Sequence, residues 1–513
     1  MSVTFKEIST NNLKQKPSLF FGPNLQKCSW LNDKVKAKLR KFSKPGLNSF
    51  MIDGQEYLNI DTTNLGRNLS KSGISEGKGV VEWMKKSDRL GELATDEVDS
   101  ANFDLFELIG EDFNDLQGLS ALTARAFPLY NSKKLARDNE SKRVISLKFS
   151  TYSKSYEKNI DSKNLLNLME NIRGAAKLSD MPPNLLHPAT FVEEARSQLK
   201  DFESVSIQVF DHEELGKRNM NLLKSVGEGS AEGKKARMCI LKYEPERSPD
   251  RKKSKLNKTN VTDSSDRKLK TIALVGKGIT YDTGGHSLKT KTTMPGMKKD
   301  CSGATAMLFT FKQLVQSNFK KANVICVLCL AENNIGPLAT KPDDIYIGHS
   351  GLSVDIQNTD AEGRLALADG VSYVSRELNA DVVIDMCTLT GTQRVAVGLI
   401  HGALLTNKPE VEPIAIQAGL NSGDHIYPII YAPTFFMKEF DSKMADMTNH
   451  VTRNNGNSSC AGHFIEQHLE DGTKFKGTWI HIDMSAPALN MYDAGRHSGY
   501  GVALIANLVD DLV

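Results

Sequence analysis

The chain has 513 residues, of which 39% are hydrophobic and 25% are charged. This composition is typical of a globular protein and excludes a collagen-like repeat, a wholly disordered chain and a small disulfide scaffold. The 65 Lys and Arg residues nearly balance the 62 Asp and Glu residues, so charge alone predicts no dedicated nucleic-acid or membrane surface. The longest apolar runs, such as residues 324–330, are too short for a bilayer, and neither a transmembrane helix nor a secretory signal is expected.

The cysteines do not indicate a disulfide framework. There are seven of them in a long chain, an odd number, and with no secretory signal the cytoplasm is the expected location. Cys326 and Cys329 form a C-x-x-C pattern inside an apolar run that is typical of a buried strand. Their odd spacing sends the two side chains to opposite faces, which favours packing over redox or zinc chemistry.

In the first part of the chain, residues 1–160, short apolar runs alternate with charged loops, and we expect a smaller N-terminal α/β domain. Apolar residues then recur at helical spacing over residues 165–176, and Pro182 and Pro183 end that pattern. We therefore predict a linker helix at residues 161–183 and a larger C-terminal domain at residues 184–513.

The C-terminal part predicts an α/β domain with a central, mostly parallel sheet flanked by helices. Its apolar, β-branched runs alternate with helical patterns, one of which begins near Ser302; the runs are residues 205–210, 238–241, 271–275, 324–330 and 382–386. Sheets of this kind bind ligands beyond the carboxyl ends of their strands. The Lys-rich residues 245–270 are typical of a solvated surface insertion, although a basic arm for anionic partners is an alternative.

Polar residues follow the predicted strand 271–275 in a glycine-rich segment that carries Lys277, Asp282, Lys289 and Asp300. The glycine spacing matches neither a P-loop nor a dinucleotide fingerprint. Asp300 stands just before the predicted helix near Ser302, so its structural interpretation is a helix N-cap.

A second cluster places Asp360, Glu362 and Arg364 before another amphipathic helix. Taken alone, the two acids suit a helix N-terminus, where the macrodipole favours negative charge. Both clusters, however, lie at strand-to-helix loops of the same predicted sheet. Four carboxylates in one crevice repel one another unless cations neutralise them, and two divalent ions supply the required charge.

The two clusters together resemble segments of a known protein family. Residues 358–365, Asn-Thr-Asp-Ala-Glu-Gly-Arg-Leu, are similar to the signature of the leucyl aminopeptidases, which are cytosolic two-metal exopeptidases. Residues 276–300 match the family's other metal-binding segment, with both lysines and both aspartates in register. The resemblance covers about residues 180–510, including the motifs at residues 446–449 and 479–483. It is weak in the N-terminal domain.

The resemblance implies a ligand set for two zinc or manganese ions, namely Lys277, Asp282, Asp300, Asp360 and Glu362. Asp282 and Glu362 would bridge the ions, Asp360 would complete one shell, and Lys277 and Asp300 the other. A lysine ligates only as the neutral amine, so Lys277 would have to lose its proton.

The family chemistry implied is attack by a hydroxide that the two metals share, with one ion also binding the free α-amino group of the substrate. Lys289 would stabilise the oxyanion, and Arg364 would hold a bicarbonate ion that carries the proton. The alternative for Arg364 is a plain surface arginine. Substrate-binding positions are Met297, Asn358, Thr388 and Gly391, although Met297 is equally compatible with ordinary packing.

The predicted function is therefore a metal-dependent aminopeptidase that releases N-terminal leucine or other apolar residues from short peptides with a free N-terminus. The family implies a homohexamer; no membrane or nucleic-acid partner is predicted. Departures at His286, Cys301, Cys387 and Thr392 leave the side-chain preference open and indicate a divergent animal branch labelled only as probable aminopeptidases. The alternatives are a non-catalytic binding or regulatory protein and another two-metal hydrolase, such as a phosphoesterase.

Overall fold

The computed structural model describes two compact units of the chain. The described residues are 2–7, 19–21, 47–52, 55–60, 105–110, 113–126, 129–130, 142–151, 160–245, 269–451, 456–489 and 495–513. The first unit comprises Met1–Asp180, Ala415–Ile426 and Pro487–Asn507, and the second comprises Met181–Ile414, Tyr427–Ala486 and Leu508–Val513. The predicted boundaries at 160 and 183 stay a prediction, and most of the predicted insertion, residues 246–268, lies outside the described residues.

The first unit contains a six-stranded sheet of order β1-β6-β5-β2-β4-β3, in which only β3 and β4 pair antiparallel. Its strands are β1 Ser2–Glu7, β2 Leu19–Phe21, β3 Leu47–Ile52, β4 Gln55–Ile60, β5 Leu105–Gly110 and β6 Lys142–Thr151. Helix α1 spans Phe113–Ala126, and α2 spans Ser162–Asp180, which includes the predicted helical pattern. The apolar face of α2 is buried, as its spacing predicts.

The second unit is built on an eight-stranded sheet of order β15-β14-β17-β13-β9-β10-β8-β7. The four central strands, β17, β13, β9 and β10, run parallel, whereas β8 and β14 pair antiparallel with their neighbours β10 and β17. A small sheet, β11-β12-β16, lies apart from it. The strands are β7 Val205–Phe210, β8 Arg237–Tyr243, β9 Thr271–Asp282, β10 Asn323–Asn333, β11 Ile345–Ile347, β12 Ser353–Asp355, β13 Val382–Cys387, β14 Gly402–Thr406, β15 Ile426–Pro428, β16 Met447–Thr448 and β17 Thr478–Asp483.

Helices cover both faces of the large sheet. In chain order after α2, the helices are α3 Pro188–Leu199, α4 His212–Lys217, α5 Asn221–Val226, α6 Ser302–Gln316, α7 Glu362–Arg376, α8 Gln393–Val397, α9 Val411–Ser422, α10 Pro433–Phe436, α11 Asn457–Gln467 and α12 Val502–Asp511, with 3₁₀ turns at Met297–Cys301, Met437–Phe440 and Gly472–Lys474. Most of α9 and of α12 belongs to the first unit. Helix α6 packs on Gly276 and α7 packs on Val275, and these consecutive residues of β9 point to opposite faces. The predicted α/β class with a mostly parallel, covered sheet is confirmed.

The five apolar runs predicted as strands all belong to this sheet, and Cys326 and Cys329 are buried free cysteines within it. Because β9, β10, β13 and β17 are parallel, their carboxyl ends meet at one edge. Asp282, Asn333, Cys387 and Asp483 end these strands. None of the helices in the described ranges combines the length and apolar character that a membrane span needs.

Helix α6 approaches the sheet closely because its first turn contains glycine. A Cβ added at Gly303 would lie 2.2 Å from the carbonyl oxygen of Met386 in β13, and one added at Gly276 would lie 2.5 Å from Cα of Ala304. In both cases the added Cβ would meet a backbone atom, so no side chain can move aside to relieve the contact. The two glycines thus fix the distance between α6 and the ends of β9 and β13.

Gly303→Ala should therefore lower the free energy of unfolding by about 1–3 kcal/mol, because the added methyl group overpacks this contact. Urea denaturation in the presence of EDTA measures this without any contribution from bound metal. Gly118→Ala is the matched control, because Gly118 lies within α1 and nothing lies within 4 Å of the added Cβ. The control should be neutral or slightly stabilising; equal effects of the two changes would contradict the close packing of α6.

Candidate active site

Lys277 joins three separate segments at the carboxyl edge of the sheet. Its side chain leaves β9, is 2% exposed, and places Nζ 2.8 Å from Oδ2 of Asp300 and 3.0 Å from Oε1 of Glu362. The same Nζ donates to the carbonyl oxygen of Thr388 over 3.1 Å. A Cβ added at Gly363 would lie 2.5 Å from Nζ, so the glycine that follows Glu362 lets α7 begin directly over this lysine.

Lys289 makes the second set of contacts. Its Nζ lies 2.8 Å from Oδ2 of Asp282 and 2.5 Å from Oδ1 of Asp360. Carboxylate oxygens of Asp282, Asp360 and Glu362 all lie within 4.8 Å of one another. The structure thus brings together the five predicted ligand residues and Lys289 in one cluster.

The cluster carries more negative than positive charge, since four carboxylates face two ammonium groups. Burial, and then the charge of Asp300, raise the pKa of Asp282 to about 6 against the opposing effect of both lysines. Burial and the charge of Asp282 likewise raise the pKa of Glu362 well above its usual value. Burial lowers the pKa of Lys277, but Asp300, Glu362 and Asp282 together outweigh it and hold that pKa well above normal. These neighbouring charges favour the ammonium form of Lys277, whereas its predicted role as a ligand requires the neutral amine.

The donor set fits divalent cations. Oδ2 of Asp300 and Oδ1 of Asp360 are buried and accept no well-directed hydrogen bond, although each lies close to a lysine Nζ. Apart from that lysine, neither oxygen has a partner among the described residues, and a coordinated ion would satisfy the remaining lone pairs. Carboxylates with a nitrogen ligand suit zinc and manganese alike, so the ligand types do not select the metal.

Arg364 lies on the first turn of α7 and is buried, so its interpretation as a surface arginine is wrong. Its Nη1 donates to the carbonyl oxygen of Asn449 over 3.0 Å, and its Nε has no hydrogen-bond partner among the described residues. Within the described ranges no carboxylate lies within ion-pair distance of the guanidinium, and burial lowers its pKa to about 10 despite the opposing effect of Glu362. A buried guanidinium with a free N–H group suits a small planar anion.

Two of the four predicted substrate-binding residues, Thr388 and Asn358, contact this cluster. The Thr388 hydroxyl donates to Oδ1 of Asp300 over 2.7 Å, so this residue also holds a predicted ligand in place. Asn358 Oδ1 accepts the backbone N–H of Asp360 over 2.8 Å. Met297 begins the 3₁₀ turn before Asp300, and the exposed Gly391 has open space where a Cβ would lie.

The N-cap interpretation of Asp300 is wrong, because α6 begins at Ser302 with Cys301 at its N-cap. Among the other departures from the family pattern, His286 is exposed and Cys387 is buried. The Thr392 hydroxyl lies 3.1 Å from that of Ser458.

Three polar residues that support the site were not predicted. Asn333, at the end of β10, donates from Nδ2 to Oδ1 of Asp282 over 2.8 Å and to the carbonyl of Thr359 over 2.9 Å. Asn449 donates from Nδ2 to the carbonyl oxygen of Asn358 over 2.7 Å. Asp483, at the end of β17, accepts the backbone N–H groups of residues 389 and 390 over 3.0 and 2.9 Å. Two features of the sequence could have identified them. Asn333 and Asp483 are polar residues at the carboxyl ends of buried strands, and Asn449 and Asp483 lie in family motifs.

A second buried group of potential ligands, Asp385, Cys387 and His481, lies on β13 and β17. Asp385 and His481 are register partners, and His481 Nδ1 lies 2.6 Å from Oδ1 of Asp385. Trp479 Nε1 donates to the other oxygen of Asp385 over 2.8 Å. This carboxylate therefore has a partner for each oxygen without an ion, which indicates a structural network within the sheet.

The chain is similar to proteins of a known family. Residues 173–506 match the profile described as "Cytosol aminopeptidase family, catalytic domain". Human "Probable aminopeptidase NPEPL1" is 40% identical over 388 residues, which are 75% of this chain and 69% of the human protein. "Leucine aminopeptidase 1" of Caenorhabditis elegans is 39% identical over 354 residues, 68% of this chain and 66% of the worm protein.

Solved structures of similar proteins have a similar fold. Leucyl aminopeptidase from Trypanosoma cruzi has a TM-score of 0.80 at 29% identity, covering 100% of this chain and 97% of that chain. The Trypanosoma brucei leucyl aminopeptidase solved with bestatin has a TM-score of 0.80 at 28% identity, covering 99% and 95%.

These matches define a class, that of the metallo-aminopeptidases with an α/β catalytic domain. The chain belongs to the cytosol aminopeptidase family. Within that family it is similar to animal proteins named as probable aminopeptidases, as the sequence departures predict. Family membership supports a peptidase that depends on divalent metal.

Adding Mn²⁺ or Zn²⁺ to the EDTA-treated protein should raise its Tm, by roughly 5 °C at an ion concentration a hundredfold above Kd. Glu362→Gln should abolish most of this rise, because it removes a central carboxylate charge from the cluster. Glu193→Gln makes the same change on an exposed surface of α3 and should retain the full shift. A normal metal-dependent shift in Glu362→Gln would show that the ions bind elsewhere.

Proposed function

We propose that this chain is an aminopeptidase that uses two divalent ions, zinc or manganese, to remove N-terminal residues from short peptides, with leucine and other apolar residues preferred. One observation carries the proposal. Lys277, Asp282, Asp300, Asp360 and Glu362 come from separate segments and converge at the carboxyl edge of the sheet, with Lys289 beside them. The chain's family gives that cluster its chemical context.

In this proposal the five converging residues would hold the ions, and Lys277 would have to lose its proton to act as a ligand. Bound ions would polarise the scissile carbonyl, lower the pKa of the attacking water and hold the free α-amino group. Asn333 and Thr388 keep Asp282 and Asp300 oriented for this task through hydrogen bonds of 2.8 and 2.7 Å. Fixed partners of this kind maintain ligand geometry.

Lys289 is the proposed oxyanion-stabilising group. Its pKa is raised, because the charges of Asp282 and Glu362 outweigh the lowering effect of burial, so it stays positively charged at neutral pH. Its side chain is only 14% exposed, and in such surroundings a positioned cation acts more strongly on developing negative charge than it would in water. Arg364, with its unpartnered Nε, is the proposed holder of bicarbonate, which would carry a proton during the reaction.

Hexameric assembly, a cytoplasmic location and the choice of metal belong to the same proposal, since they rest on the family resemblance. The alternative of a nucleic-acid-binding or regulatory protein depends on the basic residues 245–270, most of which lie outside the described residues. The phosphoesterase alternative uses the same carboxylates but gives no role to a free α-amino group.

The metal-loaded protein should hydrolyse leucine amide and refuse N-acetyl-leucine amide, because the blocked amine cannot be held. Bestatin, which is bound in the Trypanosoma brucei structure, should inhibit it. Chromatography that detects the released amino acid measures the hydrolysis of leucine amide, the refusal of the blocked amide and the inhibition by bestatin. Turnover of a phosphate ester without turnover of leucine amide would favour the phosphoesterase alternative.

Lys289→Met should lower kcat for leucine amide by about 10²–10³, because it removes the cation aimed at the oxyanion. It should keep the metal-dependent rise in Tm, which separates this role from metal binding. Lys291→Met removes an exposed lysine from the same segment and should leave kcat unchanged. Normal kcat in Lys289→Met would contradict the role proposed for this residue.

A further inference from the structure

Asn449 is a buried residue beside the loop 357–361, which carries Asp360. It directly follows β16 and is 0% exposed. The parallel pairing of β12 with β16 ends at Asp355 and Thr448. The backbone N–H of Asn449 still donates to the carbonyl oxygen of Asp355 over 3.1 Å. Asn449 therefore lies where the pairing of the two strands stops and the loop begins.

The side-chain amide of Asn449 continues the pairing beyond the end of β16. Its Nδ2 donates to the carbonyl oxygen of Asn358 over 2.7 Å, and its Oδ1 accepts the backbone N–H of the same residue over 3.2 Å. Oδ1 also accepts the backbone N–H of Gln357 over 2.9 Å, and a longer contact of 3.5 Å joins Nδ2 to the carbonyl oxygen of Ala361. An asparagine amide offers the same donor and acceptor as a peptide group, so this one side chain fixes the backbone of the loop.

Asn358 passes this restraint on to Asp360. Oδ1 of Asn358 accepts the backbone N–H of Asp360 over 2.8 Å and so fixes the turn that carries this carboxylate. The side chain of Asp360 is 34% exposed, whereas the other three carboxylate side chains of the cluster are at most 6% exposed. Burial therefore restrains Asp360 least, and its orientation depends most on hydrogen bonds to the loop.

Asn449 also contacts the helix that follows the loop. Its carbonyl oxygen accepts Nη1 of Arg364, on the first turn of α7, over 3.0 Å. One residue thus joins the backbone before Asp360 to the helix after it. Thr359 is attached separately, since its hydroxyl donates to the carbonyl oxygen of Gly284 over 2.6 Å. The loop therefore keeps one attachment if the amide of Asn449 is lost.

We propose that Asn449 is a positioning residue of the metal site, whose side-chain amide holds the loop 357–361 so that Asp360 faces the ion whose coordination it completes. The inference rests on the proposed function and deepens it, because it makes the affinity for one of the two ions depend on a residue that is not a ligand. Residues that orient metal ligands typically contribute about 10- to 100-fold to metal affinity.

Asn449→Ala tests this role through metal binding by the full chain. After EDTA treatment, one of the two Mn²⁺ ions should bind about 10-fold or more weakly than in the unmodified protein, and the other should bind normally. The EPR signal of free Mn²⁺ measures both dissociation constants. Asn221→Ala is the matched control, because Asn221 also donates from Nδ2 to the carbonyl oxygen of a distant residue, Ile347, over 2.8 Å. The control should leave both dissociation constants unchanged.

Asn449→Asp is a second variant that preserves the size of the side chain. It keeps an acceptor for the two backbone N–H groups but loses the donor to the carbonyl oxygen of Asn358. The added negative charge alone would tighten the binding of both ions. Weaker binding of one ion in this variant is therefore the expected result and would come from release of the loop.

A double variant tests whether Asn449 acts through Asp360. In an Asp360→Asn background, Asn449→Ala should weaken Mn²⁺ binding by less than about threefold more, because the carboxylate that it positions is already gone. The full additional loss in that background would overturn action through Asp360.

Unchanged or equally weakened binding of both ions in Asn449→Ala and Asn449→Asp would overturn the positioning role and leave the proposed function intact. This holds even if urea denaturation shows that the variants are less stable, because a purely structural role does not select one ion. Failure of the unmodified protein to bind two Mn²⁺ ions would overturn the proposed two-metal function, and the positioning role with it.

Discussion

The carboxylates of Asp282, Asp300, Asp360 and Glu362 repel one another in a largely buried space, and this repulsion is the constraint on which the site depends. Lys277 and Lys289 reduce it without cancelling it, and burial together with this repulsion keeps the pKa values of Asp282 and Glu362 raised. Repulsion of this kind destabilises the folded chain unless cations bind. The electrostatic cost in the folded protein is therefore also the source of its affinity for divalent ions.

The sheet makes this arrangement possible. Four parallel strands end at one edge, so Asp282, Asn333, the loop of Thr388 and Asp483 meet there although they are distant in sequence. Glycines at positions 276, 303 and 363 let α6 and α7 begin close to these ends. Hydrogen bonds from Asn333 and Thr388 then fix two carboxylates that would otherwise move apart.

Much of this was predictable from sequence, for physical reasons that differ between residues. Apolar runs predicted the strands because buried parallel strands have no polar face, and the two acidic clusters stood out because each follows a strand. The supporting roles of Asn333 and Asp483 were not predicted, because a single polar residue at the end of a strand belongs to no pattern that identifies the residue it contacts. Burial of Arg364 was also invisible, because it depends on Asn449 from a segment 85 residues away. The pairing of Asp385 with His481 requires the register of β13 against β17, which no local pattern contains.

The central claim is that separate segments converge to hold two ions, and diffraction at the zinc absorption edge from crystals grown with Zn²⁺ tests it most directly. Two anomalous peaks are expected, both enclosed by Lys277, Asp282, Asp300, Asp360 and Glu362. Peaks only at Asp385, Cys387 and His481, or none at all with saturating zinc, would contradict it.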